Sequence, residues 1–134
     1  MFIGLLAAVG LVLAGSGEAA SAPEPVSAKL LGSGTLVDDG SAAEVRVLVR
    51  CDPDPPLLEA LVTGSQEGAV GFGEGFFLGL RCDGRPHVET ARVQTFDEER
   101  FQLGKARFSA FVLLCDEVSS ECFSGQDTRL VRLR

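Results

Sequence analysis

Apolar and polar residues alternate with a period of two along much of the chain. In the stretch 44–51, valines alternate with charged residues, and Cys51 extends the apolar face. This pattern predicts a β-strand with one buried face, because successive side chains of a strand point to opposite sides. The same alternation occurs in 76–82 and in 106–114. Further strands are expected at 28–37, 57–66, 87–96 and 127–133.

Clusters of Asp, Pro, Gly and Glu separate these segments and mark turns, at 38–40, 52–56, 83–86 and 97–99. No stretch shows a convincing apolar stripe at the helical period, so no helix is expected. Short strands with turn signals between them are typical of antiparallel β-sandwiches. The sequence therefore predicts an all-β domain over residues 28–134, an immunoglobulin-like β-sandwich of about seven strands held by disulfides.

An apolar run of thirteen residues, Phe2 to Ala14, lies near the start of the chain and precedes small residues. This pattern predicts a secretory signal peptide over residues 1–21, cleaved after Ser21. As a helix the run would span about 20 Å, too short for the roughly 30 Å core of a bilayer. An uncleaved anchor is the alternative, because no Lys or Arg precedes the run. Residues 22–27 are expected to be a linker, and the protein to be secreted without a permanent membrane span.

The overall charge is −7, from 12 basic and 19 acidic residues. This balance argues against a nucleic-acid partner, which would need positive charge facing the phosphates. The 46% of hydrophobic residues is enough to fill a core, so the chain is expected to be globular rather than disordered.

The four cysteines fall near predicted strand ends. Cys51, Cys82 and Cys115 are each followed by Asp and close the second, fourth and sixth strands. Because alternate strands run in the same direction, all three are expected at one end of the domain. We favour the disulfides Cys51–Cys82 and Cys115–Cys122, the second of which closes a short loop. Pairing Cys51 with Cys115 and Cys82 with Cys122 remains the alternative. A zinc site is disfavoured, because no Cys-x-x-Cys occurs and the chain has one histidine.

Several segments resemble a family of small exported actinobacterial proteins with an immunoglobulin-like sandwich. The segments that carry the resemblance are 31–37, 45–51, 80–84, 101–106 and the Cys115 to Cys122 pair. This resemblance implies a fold and export, and no activity. The Cys115 to Cys122 pair with 124–127 also resembles the enediyne-binding apoproteins such as neocarzinostatin. Their other disulfide is also short, whereas Cys51 and Cys82 lie 31 residues apart.

The residues offer little catalytic chemistry. His87 is the single histidine of the chain, so it would have to be the base of any Ser–His–Asp arrangement. No Gly-x-Ser-x-Gly motif occurs. The acidic run 97–99 lies in a predicted turn. We therefore expect no enzyme and no cofactor. A calcium ion is the alternative for acids that would gather at one end of the domain, although Asp also favours turns for its own reasons. These acids are Asp52, Asp54, Asp83, Asp116 and Glu117; no metal is expected.

Phenylalanines surround the Gly-rich segment 71–75. By alternation Phe76 is expected in the core, whereas Phe77 and Phe111 are expected to point outward. Together with Phe72 they form a candidate binding patch, because exposed apolar clusters mark interaction sites. The chain is thus expected to be an exported, non-catalytic binding or structural module for an extracellular protein or a small apolar ligand. The alternative is a carrier of a small apolar molecule in a sandwich cleft, as the enediyne apoproteins are.

Overall fold

The computed structural model describes residues 25–53, 57–66, 71–96, 98–116 and 118–134. The predicted signal peptide 1–21 lies outside these residues, and the first strand already begins at Val26, within the expected linker. Among the residues described, no helix is long and apolar enough to cross a membrane. The strands are β1 (Val26–Val37), β2 (Ala42–Cys51), β3 (Leu57–Gln66), β4 (Gly71–Phe77), β5 (His87–Thr95), β6 (Gly104–Cys115) and β7 (Cys122–Leu133).

The seven strands form one closed barrel in the order β1-β2-β5-β4-β3-β6-β7. Neighbouring strands are antiparallel except β1 and β7, which are parallel and close the sheet. The all-β prediction is confirmed. The expected sandwich of two separate sheets needs correction, because β4 pairs with both β3 and β5 and β7 pairs with β1. These two junctions join into one barrel what we expected to be two layers.

Strand β4 forms from the Gly-rich segment, so the predicted strand at 76–82 is wrong in position. A Cβ atom on Gly75 would lie 1.7 Å from the carbonyl oxygen of Arg92, and one on Gly73 would lie 2.2 Å from that of Gln94. Only glycine lets the backbone of β4 approach β5 this closely. The segment lacks a hydrophobic alternation because its buried positions are glycines, and it is this segment that connects the two halves of the barrel.

The junction between β1 and β7 is built differently. The register of β1 against β2 shifts between Leu30 and Gly34, a bulge that turns β1 toward β7. At the bulge the backbone N–H of Leu30 donates to Asp127 Oδ2 at 2.8 Å. The Leu30 carbonyl accepts from Arg129 Nη1 at 3.0 Å. Side chains of β7 therefore satisfy the backbone groups of Leu30 that face β7, next to the backbone pairing of β1 with β7 at Ser33 and Gly34.

The barrel interior is packed with apolar side chains. The alternations predicted in β2 and β6 are confirmed, since the valines of β2 and the even-numbered positions of β6 are buried. Phe108 packs against Phe101 with 5.6 Å between their ring centroids. Gly64 makes room for this ring, because a Cβ atom there would lie 2.3 Å from it. The largest fully buried side chains are Phe101, Phe108, Leu30, Leu133 and the valines at 26, 45, 47, 49, 62, 93, 112 and 131.

Both disulfides lie at one end of the barrel, which we call the lower end. The strand directions place the ends of β2, β4 and β6 and the start of β7 there. The structure contains the disulfides Cys51–Cys82 and Cys115–Cys122, the pairing that the sequence favours. No cysteine is free.

Candidate functional site

An open apolar depression of about 470 Å³ lies on the outer face of β3, β4 and β6. Phe76, Leu61 and Phe111 line its apolar wall. Phe76 is 66% exposed, far more than is usual for a large aromatic side chain. Ala60 and Glu59 complete the lining, and we call this surface the apolar depression.

The structure brings together a different set of phenylalanines from the one predicted. Phe76 lies outside, whereas Phe77 is half-buried against the core. The inward and outward positions of these two phenylalanines are the reverse of the prediction. Gly73 and Gly75 point inward, so Phe77, two residues further along β4, also points inward. Phe111 lies on the outer face as predicted. Phe72 belongs to β4, but its side chain is outside the described residues.

The sequence patterns did not identify Leu61, Ala60 or Glu59 as members of this site, and Leu61 has the largest apolar side chain of these three. It lies opposite Phe111 in the β3–β6 ladder and is half-buried on the outer face. The spacing of the glycines in β4 could have indicated the site, because it shows which residues of that strand face outward. Glycines at alternate positions mark the crowded inner face of that strand, which places Phe76 outside beside β3.

The depression lies where β3 and β4 separate. Their ladder ends at the pair Val62–Gly75. Strand β4 nevertheless continues along β5 to the pair Phe77–Ala91, and the Leu78 N–H donates to the Thr90 carbonyl at 2.9 Å. The lower half of β3 is therefore paired with β6 on one side, and with no described strand on the other. We call this stretch, Leu57–Leu61, the open edge.

The chain that follows β4 is held against β2 and β5. Cys82 is bonded to Cys51 of β2, and the Gly84 N–H donates to the Cys51 carbonyl at 2.9 Å. The Arg81 N–H donates to Glu89 of β5 at 3.1 Å. All of these contacts reach β2 and β5, so the segment after β4 does not replace it beside β3.

The rim of the depression is acidic. Glu59 lines the depression, and Glu74 is exposed on the outer face of β4 two residues before Phe76. Neither has an ion-pair partner among the described residues. The neighbouring cation is already engaged, because Arg92 contacts Asp38 and also lies 3.3 Å from Glu44. The site therefore combines an apolar floor with uncompensated negative charge.

His87 lies away from this depression, at the start of β5. Its Nε2 lies 2.8 Å from Asp83 Oδ1 and 2.9 Å from Oδ2, a carboxylate of the preceding loop. The Arg85 N–H donates to Asp83 at 2.9 Å. This backbone hydrogen bond, followed by the one with His87, lowers the pKa of Asp83. The arrangement orders the loop between β4 and β5.

Two of the acids considered as calcium ligands instead contact residues close to them in the sequence. Asp52 forms an ion pair with Arg50 at 3.1 Å, and Asp116 accepts the Val118 N–H at 2.9 Å. Asp54 and Glu117 lie outside the described residues. Within the part of the chain that the structure describes, no group of three or more metal-ligating side chains occurs.

No protein-family model, curated protein or solved structure matches this chain. The depression, its acidic rim and the open edge are therefore the features of the molecule that point to a function.

Proposed function

We propose that this protein is an exported, non-catalytic binding module that binds another extracellular protein through the apolar depression. One observation carries the proposal: Phe76 is 66% exposed over an open apolar surface to which Leu61 and Phe111 also contribute. Exposed aromatic side chains beside a concave apolar surface supply the buried centre of many interfaces. The acidic rim would remain near solvent and set the preference for a partner of opposite charge.

Export is supported by the covalent framework. Two disulfides in a small domain are typical of proteins that fold in an oxidising compartment. The apolar run near the start of the chain predicts the leader that such export needs.

The strand order supports a relationship with immunoglobulin-like sandwiches. Immunoglobulin constant domains have two sheets with the order ABED and CFG. If the strands are lettered A to G in chain order, the strand order of the barrel reads A-B-E-D-C-F-G. This order contains the sheets ABED and CFG, joined at the β3–β4 and β1–β7 junctions. We propose that the protein is such a sandwich closed into a barrel, in line with its resemblance to small exported actinobacterial proteins.

Carriage of a small apolar molecule is the second candidate, and the size of the depression favours it. A volume of about 470 Å³ is within the range of small-molecule sites. Its position on the outer face, over a packed interior, favours a protein partner instead. The mass of what binds distinguishes the two functions.

Photocrosslinking in the organism that encodes the protein tests the proposal. p-Benzoylphenylalanine replaces Phe76, and in a control chain it replaces Leu103, which is 72% exposed in the loop between β5 and β6. We expect a protein adduct from position 76 that is absent from position 103 and is lost when Phe111→Asp is added. An adduct of a few hundred daltons (a size typical of small ligands) would support the carrier instead. No adduct from position 76, or the same adducts from both positions, would refute the binding surface.

A further inference from the structure

We infer that the open edge of β3 accepts an extended segment of the partner as an added antiparallel strand, and that this segment carries a basic residue opposite Glu59. The inference rests on the proposed function, because it specifies how the partner occupies the apolar depression. The occupant is an extended polypeptide, in which apolar and basic residues alternate on one face.

The backbone of β3 carries the first step. Leu57–Leu61 is paired residue by residue with β6 on one side. On the other side, no described strand pairs with it, although the upper half of the same strand pairs with β4. A strand edge offers a row of N–H and C=O groups that pair readily with another chain. No described strand continues the line of β4 beside this half of β3, so an added strand there would extend the existing sheet.

The side chains around the edge define the face of the added strand. Residues of an added strand that point outward lie beside the outward residues of β3, which are Leu61 and Glu59. The residue of the added strand nearest Leu61 would lie over the apolar depression next to Phe76, while Phe111 lies on the other side of Leu61. That position therefore requires an apolar side chain. Two residues further along the added strand, the side chain lies opposite Glu59.

The negative charge of Glu59 favours a segment of another protein over a second copy of this chain as the added strand. Pairing the whole open edge with itself in antiparallel register would place Glu59 opposite the Glu59 of the second copy. Like charges directly opposite one another destabilise a strand pair. The net charge of −7 adds repulsion between two copies. A segment with Lys or Arg opposite Glu59 gains attraction at the same position.

The attachment of the Cys82 segment keeps the edge available. The disulfide to Cys51 and the hydrogen bond from Gly84 hold the chain after β4 against β2. A segment free to follow the line of β4 would compete with the partner for β3. The disulfide therefore has a role in recognition as well as in stability.

A random dodecapeptide library displayed on phage, selected against the oxidised full chain, tests the inference. We expect enriched sequences in which an apolar residue and a Lys or Arg are two positions apart. One enriched peptide is then synthesised, together with an analogue methylated at alternate backbone nitrogens. Methylation leaves the side chains in place and removes the N–H donors that strand addition uses. Binding of the analogue should be lost.

The matched variants are Glu59→Lys at the edge and Glu98→Lys, which changes an exposed acid between β5 and β6. Reversing the cross-strand charge pair should weaken binding of the peptide about fivefold to tenfold at position 59 and leave it unchanged at position 98. Hydrogen exchange of amides within Leu57–Leu61 should slow when the peptide binds.

Four results would overturn the inference: no enrichment, equal binding of the methylated analogue, equal loss in both variants, or a dimer of the free protein joined through Leu57–Leu61. If peptides bind and shift only Phe76 and Phe111, strand addition is wrong and the binding surface stands. If crosslinking at position 76 also fails, the proposed function fails with it.

Discussion

The two junctions that close the barrel differ along their length. At the β1–β7 junction, a bulge in β1 lies beside β7, and Asp127 and Arg129 satisfy the backbone groups of Leu30 that face β7. At the β3–β4 junction, glycines allow a close backbone approach in the upper half. In the lower half, no described strand pairs with β3 on this side, because β4 stays with β5 after Gly75. At the β1–β7 junction, side chains complete the hydrogen bonding of the backbone. At the β3–β4 junction, the described strands pair only in the upper half.

This difference separates a structural junction from a binding one. Asp127 and Arg129 use their polar groups within the fold, so little is left there for a partner. Among the described residues, the β3–β4 junction leaves the backbone of Leu57–Leu61 without a second strand partner, beside exposed apolar groups and the carboxylate of Glu59, which has no ion-pair partner there. Unsatisfied groups of this kind persist in a stable protein where they bind something or are protected by charge. Glu59 supplies that protection against self-association.

The largest expected effect comes from the disulfide that holds the chain away from the β3–β4 junction. The double substitution Cys51→Ala/Cys82→Ala should lower the free energy of unfolding by about 4 kcal/mol, because the bridge closes a loop of 31 residues. The corresponding change at Cys115 and Cys122, with a separation of 7, should cost about 2.5 kcal/mol. Urea denaturation of both variants checks the order, and equal losses would contradict it.

A methyl group at the upper half of the β3–β4 junction should have the next largest effect. Gly75→Ala places a Cβ atom 1.7 Å from the Arg92 carbonyl oxygen and must displace backbone. We expect a loss of about 3 kcal/mol in the free energy of unfolding. Gly79→Ala is the matched control, since nothing lies within 4 Å of its Cβ position. Its effect should be below about 0.5 kcal/mol, and urea curves for the two variants decide whether β4 is held as described.

The β1–β7 junction should respond to loss of its carboxylate. Asp127→Ala removes the acceptor of the Leu30 N–H, and we expect a loss of about 2 kcal/mol in the free energy of unfolding. Gln126→Ala is the control, because Gln126 is exposed on the same strand. Faster hydrogen exchange at Leu30 in the first variant alone would locate the damage at the β1–β7 junction. Unchanged exchange there would show that the hydrogen bond does not seal it.

The smallest expected effect is a pH dependence from the loop that leaves the β3–β4 junction. The Arg85 N–H, and then His87, lower the pKa of Asp83 in the folded state. The resulting stabilisation is present above the ordinary pKa of 3.8 and is lost as the pH falls through the lowered value. Asp83→Asn should therefore reduce stability at pH 5, and the difference from the unchanged protein should shrink as the pH falls through the lowered pKa. Urea midpoints measured over a series of falling pH values test this, and a difference that does not shrink would contradict it.

The sequence was informative wherever a strand buries branched or aromatic side chains. The alternation of valines in β2, and of apolar residues at even-numbered positions 106–114 in β6, correctly predicted the buried faces of these strands. Strand β4 was misplaced because Gly73 and Gly75 are buried without a hydrophobic signal, and this error reversed Phe76 and Phe77. The two junctions depend on pairing between strands distant in sequence, so no local pattern distinguishes a closed barrel from a sandwich.

Strand β3 is paired on both sides in its upper half, whereas in its lower half β6 is its one partner among the described strands. Amide hydrogen exchange of the free, oxidised protein, resolved by NMR for each residue, tests this directly. Strong protection is expected throughout Val62–Gln66, apart from ordinary fraying at the strand end. In Leu57–Leu61, the account predicts alternation, with protected amides facing β6 and rapidly exchanging amides facing the open edge. Uniform protection along the whole of β3 would show that the edge is already covered and would contradict the account.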